Sequence, residues 1–407
     1  RRVSPARFFD GGSERGRAPG LWVLVFSAAI TWLNHADHPD LSTAVRHSLF
    51  QVASIGTSTG FSSTDWNAYE RSWDFQSLPL LTASSDPTPT LESSYTAWIT
   101  QNRDTIAEMK RLEEENNRLF IDAYGLADEL TPDVPIEQIT LTVNPAYRYG
   151  GKLTEEEQWT RFRQDTMEEL VSYAVGCMMG RYSLEKPGLV LADSQQNQAD
   201  HLADYERKTG VTRDADKFPV DEDGIVPLLD DEWFEDDVTV RFSEFLKVTF
   251  GPDYLTENLR FVEQALGKSV RKYLLTDFWK DHLKTYKKRP IYWLVQSPQK
   301  GFQALIYLHR YTRDTFNLIL NDYLREYMRK LRNREETLKV QLRGMDEGTA
   351  RFQKELQNTE NRLRELEKWE REVIHPLAQR QIEIDLDEGV KVNYPKFYPA
   401  LAKIVGL

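Results

Sequence analysis

Read for its alternation of apolar and polar positions, the chain opens unlike the way it continues. Residues 1–20 are rich in Arg, Gly, Ser and Pro without apolar periodicity, and are expected to be disordered. LWVLVFSAAITWL, residues 21–33, is continuously apolar. A membrane span takes about twenty such residues, so this shorter run predicts a core helix or the remnant of a span. Leu41, Val45, Leu49 and Val52 recur at helical spacing and predict a second helix from Ser42 to about Ile55. A Gly/Ser/Thr loop occupies 56–65, and from Asn67 the chain becomes polar, aromatic and charged.

Beyond that change the pattern predicts more regular elements. TASSDPTPTLE (82–92) is a loop, because two prolines and a Ser/Thr cluster prevent regular pairing. Residues 94–120 predict a long helix whose surface pairs Glu with Lys or Arg. Ile136 to Val143 alternate and predict a short strand. The stretch from Thr154 predicts a strong helix, with Thr154 as N-cap and acidic residues in the first turn. Leu324, Met328, Leu331, Leu338, Leu342 and Met345 follow a heptad seam, with Glu335 as its polar exception. The seam resumes as Phe352, Leu356, Leu363, Leu366 and Val373. Gly344 and Gly348 disfavour one unbroken helix by about 1 kcal/mol each. The expectation is therefore an antiparallel helical hairpin over 316–380, turning near 344–349, with Pro376 ending its second arm. The fold class expected is mainly α with small β elements: an α+β body at 67–315, the coiled-coil-like hairpin, and a closing segment at 381–407.

Composition narrows the class. Of 407 residues 40% are hydrophobic and 29% charged, which fits a soluble protein better than a bundle of membrane spans. A net charge of -12 argues against a protein that coats nucleic acid, though it allows a local basic face. The single cysteine, Cys177, sits among small apolar neighbours and is read as a buried packing residue. With no internal disulfide possible, a reducing, cytoplasmic setting is expected.

The search for catalytic signatures is mostly negative: GxGxxG, GxxxxGK[ST], HExxH, CxxC and GxSxG are all absent, and seven histidines lie without ligand spacing. No catalytic, cofactor-binding or metal-ligating residue is therefore assigned. Eleven acidic residues and one lysine lie between Asp214 and Asp237. DEDG (221–224) has the look of a calcium loop, but Val226, Pro227 and Leu228 interrupt the ligand spacing, so a solvated acidic loop is expected. VNPAYRYGG (143–151) is similar to the Asn-Pro-Pro-Tyr loop of amino-methyltransferases, with Ala146 in the third place. Its simpler reading is a strand end turning at Asn-Pro into a Gly-Gly loop. The most function-like patch is 271–315. Its first nineteen residues hold seven Lys/Arg against two Asp, interleaved with Tyr273, Trp279, Tyr286 and, just beyond, Tyr292 and Trp293. Basic residues pair with phosphates, and aromatic faces stack on unpaired bases. Aromatics at such intervals also serve as core.

Two resemblances bear on this. From about Tyr69 to Val405 the chain resembles the C-terminal part of the PglX family, the adenine-specific DNA methyltransferases of BREX phage defence. YERSWDFQSLPLL (69–81), EEENNRLFIDAYGL (113–126), ITLTVNPAYRYGG (139–151), EELVSYAVGCMMGRYSLEKPGLVLAD (168–193), FPVDEDGIVPLLDDEWF (218–234), KRPIYWLVQSPQKGFQALIYLHRYTRDT (288–315) and LDEGVKVNYPKF (386–397) carry it. The resemblance implies a role in methylating host adenines and in phage defence. It also places the catalytic domain, with its S-adenosylmethionine site, upstream of this segment, so no cofactor is expected here. Double-stranded DNA is the implied partner, and other BREX components are implied partners of the hairpin. Charge and resemblance together single out Lys284, Lys287, Lys288, Arg289, Tyr292, Trp293, Lys300 and Arg310 as DNA-contact candidates.

Residues 18–66 resemble one pore-helix and filter repeat of TrkH-type potassium transporters, on LSTAVRHSLFQVASIGTSTGFSSTDW. Gly56, Thr57, Ser58, Thr59, Gly60 and Phe61 are its filter-like positions. A conducting pore needs four such repeats and their enclosing helices, so conduction and functional membrane insertion are not expected. The expectation is a join between two unrelated genes near Asp65–Tyr69. A transporter fragment and a coiled-coil interaction module stand as the alternative functional classes.

Overall fold

The computed structural model describes residues 90–192, 200–344 and 349–406. All belong to one unit of the chain, Asp74–Leu407. The filter-like positions Gly56–Gly60, the apolar run and the expected join lie outside the described residues. Helix α1, Leu91–Tyr124, starts at a reciprocal cap in which Thr90 and Ser93 satisfy each other's backbone, and ends at Gly125, whose φ of 65° suits glycine. Its buried residues lie mostly in the first half, Leu91, Ser94, Tyr95, Trp98, Asn102 and Ile106, with Ile121 buried near the far end.

The chain then folds back along α1: the Val134 amide donates to Glu114, and Asn117 donates to the Pro132 carbonyl. The strand expected at Ile136–Val143 is not there; a 3-10 turn, Ile136–Gln138, and bends take its place. The alternation was real in burial, since Ile139 is buried, but no neighbouring strand offers a ladder. Asn144 holds the Ile136 and Ile139 carbonyls instead, at 2.7 and 2.9 Å.

After the short helix α2 (Pro145–Tyr149), α3 spans Glu155–Met178 behind the Thr154 cap, which forms a capping box with Glu157. Its buried face, which includes Cys177, packs on α5 (Val238–Phe250) and α6 (Leu255–Leu266). Helix α4, His201–Thr209, lies before the acidic run.

The sheet has three antiparallel strands, β1 (Ile225–Pro227), β2 (Tyr292–Gln296) and β3 (Gln303–Tyr307), in the order β1-β3-β2. Tyr292 faces Tyr307 in register and Ile225 faces Ile306. Both faces are covered. Tyr292 and Leu294 join the core around α3, α5 and α6, while Trp293 and Val295 join a second core of the C-terminal helices. The free edge of β2 is closed by the C-terminal segment, where Gln296 donates to the Ala400 carbonyl and Ala402 to that of Leu294.

Between α6 and the sheet, α7 (Val270–Tyr273) and α8 (Trp279–Thr285) form one run through a π turn. Past β3, α9 (Thr315–Leu318) leads through another π turn into α10 (Arg325–Arg343), which pairs with α11 (Ala350–Trp369). Arg325–Glu370 and Arg332–Glu367, at 2.7 and 2.8 Å, fix the pairing as antiparallel, and Leu331, Leu338, Leu363 and Leu366 are buried along it. The expected end at Pro376 is corrected. A π turn, Glu370–Ile374, runs on into α12 (His375–Arg380) with helical backbone throughout, so Pro376 lies within the helical run, which ends at Gln381 in the left-handed region with a φ of 42°. A last turn of helix, α13 (Val390–Asn393), precedes the closing segment. Among the described residues no helix is long and apolar enough to cross a membrane.

Candidate nucleic-acid interface

The basic stretch ends in a turn between α8 and β2. The Lys287 and Lys288 amides close α8 on the Lys284 and Leu283 carbonyls, and the Arg289 amide donates to Tyr286. This geometry forces two consecutive lysines into the left-handed region, with φ of 49° and 62°. Such a conformation costs a non-glycine residue about 1–3 kcal/mol and is held only where its surroundings over-determine it. His282 supplies much of that restraint. Its buried Nε2 accepts from both the Ile291 and Tyr292 amides at 3.2 Å, pinning the end of the turn to α8. Burial, assisted by the Arg181 guanidinium, pushes the imidazole down to about 3, which keeps it neutral and able to accept.

Lys287, Lys288 and Arg289 are exposed. Among the described residues no carboxylate reaches ion-pair distance of any of them. Lys288 Nζ instead donates to the Val405 carbonyl at 3.0 Å, which brings the C-terminal segment beside the turn. Exposed Lys403, two residues earlier, therefore belongs to the same region. Sequence spacing could not have found it, because it lies more than a hundred residues away along the chain.

The other candidates separate. Lys284 is exposed but lines a cleft of about 610 Å³ with Asp165, Glu168 and Asp281, so acidic neighbours surround its charge. Lys300 is exposed in the β2–β3 turn with a φ of 60°, at the opposite end of β2. That turn is anchored on α11 through the Gln299 amide and Glu365.

Tyr292, Trp293 and Arg310 are corrected as contact candidates, because all three are buried. Tyr292 stacks on His282 at 4.9 Å, and Trp293 meets Tyr394 edge-on at 5.4 Å. The aromatic spacing marked a strand covered on both faces. Arg310 donates to the Glu222 carbonyl at 2.7 Å and lies against Gly224. Arg271, at the head of the basic stretch, is likewise spent internally on Asp237.

The Asn-Pro-Ala-Tyr motif takes the simpler part. Asn144 is buried and caps α2, accepting from the Ala146 amide while its own amide holds two carbonyls. It has no group left for a base. The neighbouring cleft of about 720 Å³ is lined by Arg103, Lys110, Glu137 and Trp159, with the Arg103 guanidinium 4.8 Å above the Trp159 ring.

The acidic run is corrected too. Asp216, Asp221 and Asp237 are buried and Asp223 and Asp236 half-buried, while Asp214, Glu222, Asp230, Asp231, Glu232 and Glu235 are exposed, so the run is solvated on one side and structural on the other. Asp221 accepts from the Gly224 amide at 2.6 Å, and Asp237 caps α5.

No protein-family model matches the chain. Among curated proteins, it is 38% identical over 359 residues, 84% of its length, to the adenine-specific methyltransferase BrxX of Escherichia coli O9:H4 (strain HS). It is 35% identical over 387 residues, 88% of its length, to the adenine-specific methyltransferase PglX of Lacticaseibacillus casei (strain Zhang). The chain spans 28% of the length of each of these relatives. The match agrees with the PglX-like C-terminal portion that the motifs resemble.

Proposed function

We propose that this chain, homologous to part of the BrxX- and PglX-type adenine-specific methyltransferases, supplies a non-catalytic scaffold that presents a basic turn to the DNA backbone. In the setting the resemblance implies, the intact protein methylates host adenines in phage defence, and this portion helps to hold the duplex. The carrying observation is the pair of left-handed lysines, Lys287 and Lys288, exposed beside Arg289 and, among the described residues, without a carboxylate at ion-pair distance. An acidic chain that holds unneutralised cations on strained backbone supports a surface for anions. Three cations on one rigid turn suit phosphates, and they carry no base readout by themselves.

The test is binding of the full 407-residue chain to a short mixed-sequence duplex across a salt series. Replacing Lys287, Lys288 and Arg289 by Ala is expected to weaken binding at low salt. It should also lower the slope of log affinity against log salt by about 2 to 3, one counterion per lost phosphate contact. Replacing Arg325, Arg332 and Arg334 by Ala removes the same charge from residues already paired with Glu370, Glu367 and Glu355, and should leave the slope nearly unchanged. Equal slopes for the wild type and the turn variant would sink the reading.

A further inference from the structure

Several half-buried arginines of this fold are held by carboxylates: Arg241 by Glu244, Arg271 by Asp237 and Arg362 by Asp230, at 2.7, 3.0 and 2.7 Å. Arg181, just past the end of α3, is not. It is half-buried, and among the described residues no carboxylate reaches ion-pair distance of it. Its neighbours are phenols instead. Nε donates to the Tyr182 hydroxyl at 3.4 Å and Nη1 to that of Tyr307 at 3.5 Å, while Tyr286 lies beside the guanidinium. Bonds of that length are weak. A charge drawn partly out of water therefore has no partner that offsets the loss. Of the four phenols, Tyr292 has the strongest electrostatic influence on that guanidinium. Tyr292 is 2% exposed, yet its hydroxyl has no hydrogen-bond partner among the described residues. Gly176 makes room for the group: a Cβ there would meet the Tyr182 ring and lie 3.2 Å from the Tyr292 oxygen.

We infer that Arg181, with the hydroxyls of Tyr182, Tyr286 and Tyr292, forms a seat for a phosphate group. A guanidinium presents five N–H donors in a planar fork that fits an oxyanion with two of them. Burial pushes the Tyr286 and Tyr292 hydroxyls up, which keeps both protonated and able to donate. The donors come from three places in the chain: the turn after α3, the end of α8 and β2. Phosphate sets its oxygens around one centre and accepts from several sides at once, whereas a carboxylate offers two oxygens in one plane. The ring of Tyr292 stays in the core, and only its hydroxyl serves the seat. Tyr286 immediately precedes Lys287, so the seat adjoins the basic turn but rests on its own geometry. Its phosphate has two sources, the DNA backbone or a free phosphate compound.

Isothermal titration of the full 407-residue chain with inorganic phosphate, at ionic strength held fixed with chloride, should show one site. Arg181→Met should abolish it. Tyr292→Phe removes one oxygen from a ring that stays packed and should weaken binding about tenfold, the worth of a hydrogen bond to a charged group. Arg181→Lys keeps the charge without the fork and should fall between wild type and Arg181→Met. In phosphate-free buffer Arg181→Met should melt no lower than the wild type, because the charge it removes is unpaired; a merely structural arginine would lower it. Titration of a short duplex across a salt series separates the sources. A slope lower by about 1 in Arg181→Met assigns the seat to backbone phosphate. An unchanged slope, with phosphate binding lost, assigns it to a free phosphate compound. No phosphate binding by the unsubstituted chain, or binding that Arg181→Met and Tyr292→Phe both leave intact, overturns the seat and leaves the reading of the basic turn standing.

Discussion

Tyr323 has one hydroxyl proton and two carboxylates to face: its oxygen lies 3.0 Å from Asp223 Oδ2 and 2.8 Å from Asp236 Oδ2. The hydroxyl donates to one of them, so the other carboxyl keeps its own proton and donates back. Burial and the neighbouring Asp221 push Asp223 up to about 8, and burial takes Asp236 to about 6. Glu169 rises to about 8 through burial, against the pull of Arg148. An acid with a raised folded value binds more protons folded than unfolded, so its contribution to stability falls as pH rises through that window. His282 and His201, pushed down to about 3 and about 4 mainly by burial, have the opposite sign, and their contribution is complete above 6.5. Between pH 6.5 and about 8 the slope therefore belongs to Asp223 and Glu169. The unfolding free energy should fall with pH there by at most about 1.4 kcal/mol per pH unit for each group, and the melting temperature with it. Asp223→Asn should remove its share of that slope; a melting temperature flat from pH 6.5 to 8 in the unsubstituted chain would exclude the protonated lock. The whole acidic run looked solvated in sequence because charge density is visible there, and the groups that bury Asp216, Asp221 and Asp237 are not.

At the scale of elements, legibility followed local signals. Thr154 and the hairpin were readable because a cap needs only its own first turn and a heptad needs only its own spacing. The strand at Ile136–Val143 failed because a strand exists only where a partner lies alongside, and among the described residues none does. β2 and β3 went unread for the converse reason: YWLV of β2 and ALIY of β3 are apolar on both faces, without the alternation of a half-buried strand. The hairpin gives a direct test. Leu338 is buried between α10 and α11, so Leu338→Ala should cost about 2–5 kcal/mol. Hydrogen exchange should show that loss in both arms. Faster exchange confined to α10 would mean that the two helices do not stabilise each other.

At the scale of the molecule, the acidic run and the basic stretch answer each other inside the fold. Arg271 reaches Asp237 with both terminal nitrogens, at 3.0 and 3.1 Å, and donates to the Leu229 carbonyl at 2.8 Å. Asp237 is fully buried and also caps α5. Arg271→Met strands a carboxylate in the interior and should cost about 3–5 kcal/mol, read from denaturant midpoints. Adding Asp237→Asn should recover part of that loss; no recovery would mean that the arginine acts by packing alone. Lys287, Lys288 and Arg289, by contrast, are exposed and have no carboxylate at ion-pair distance among the described residues.

The sequence by itself determined the mainly helical class, the Thr154 cap, the pairing of the two long C-terminal helices, the burial of Cys177, and the kinship with PglX-type enzymes. Each of these depends on neighbours within a few residues, or on the order of residues along the chain. Only the tertiary structure decided which basic residues reach solvent and which are spent inside the fold. Lys287, Lys288 and Arg289 reach solvent, while Arg271 and Arg310 are consumed by carboxylates and carbonyls from the acidic run. It alone turned Tyr292 and Trp293 inward, by covering both faces of β2, and carried Lys403 to the basic turn through the C-terminal segment. Availability is a property of the space around a side chain, and long-range packing sets that space.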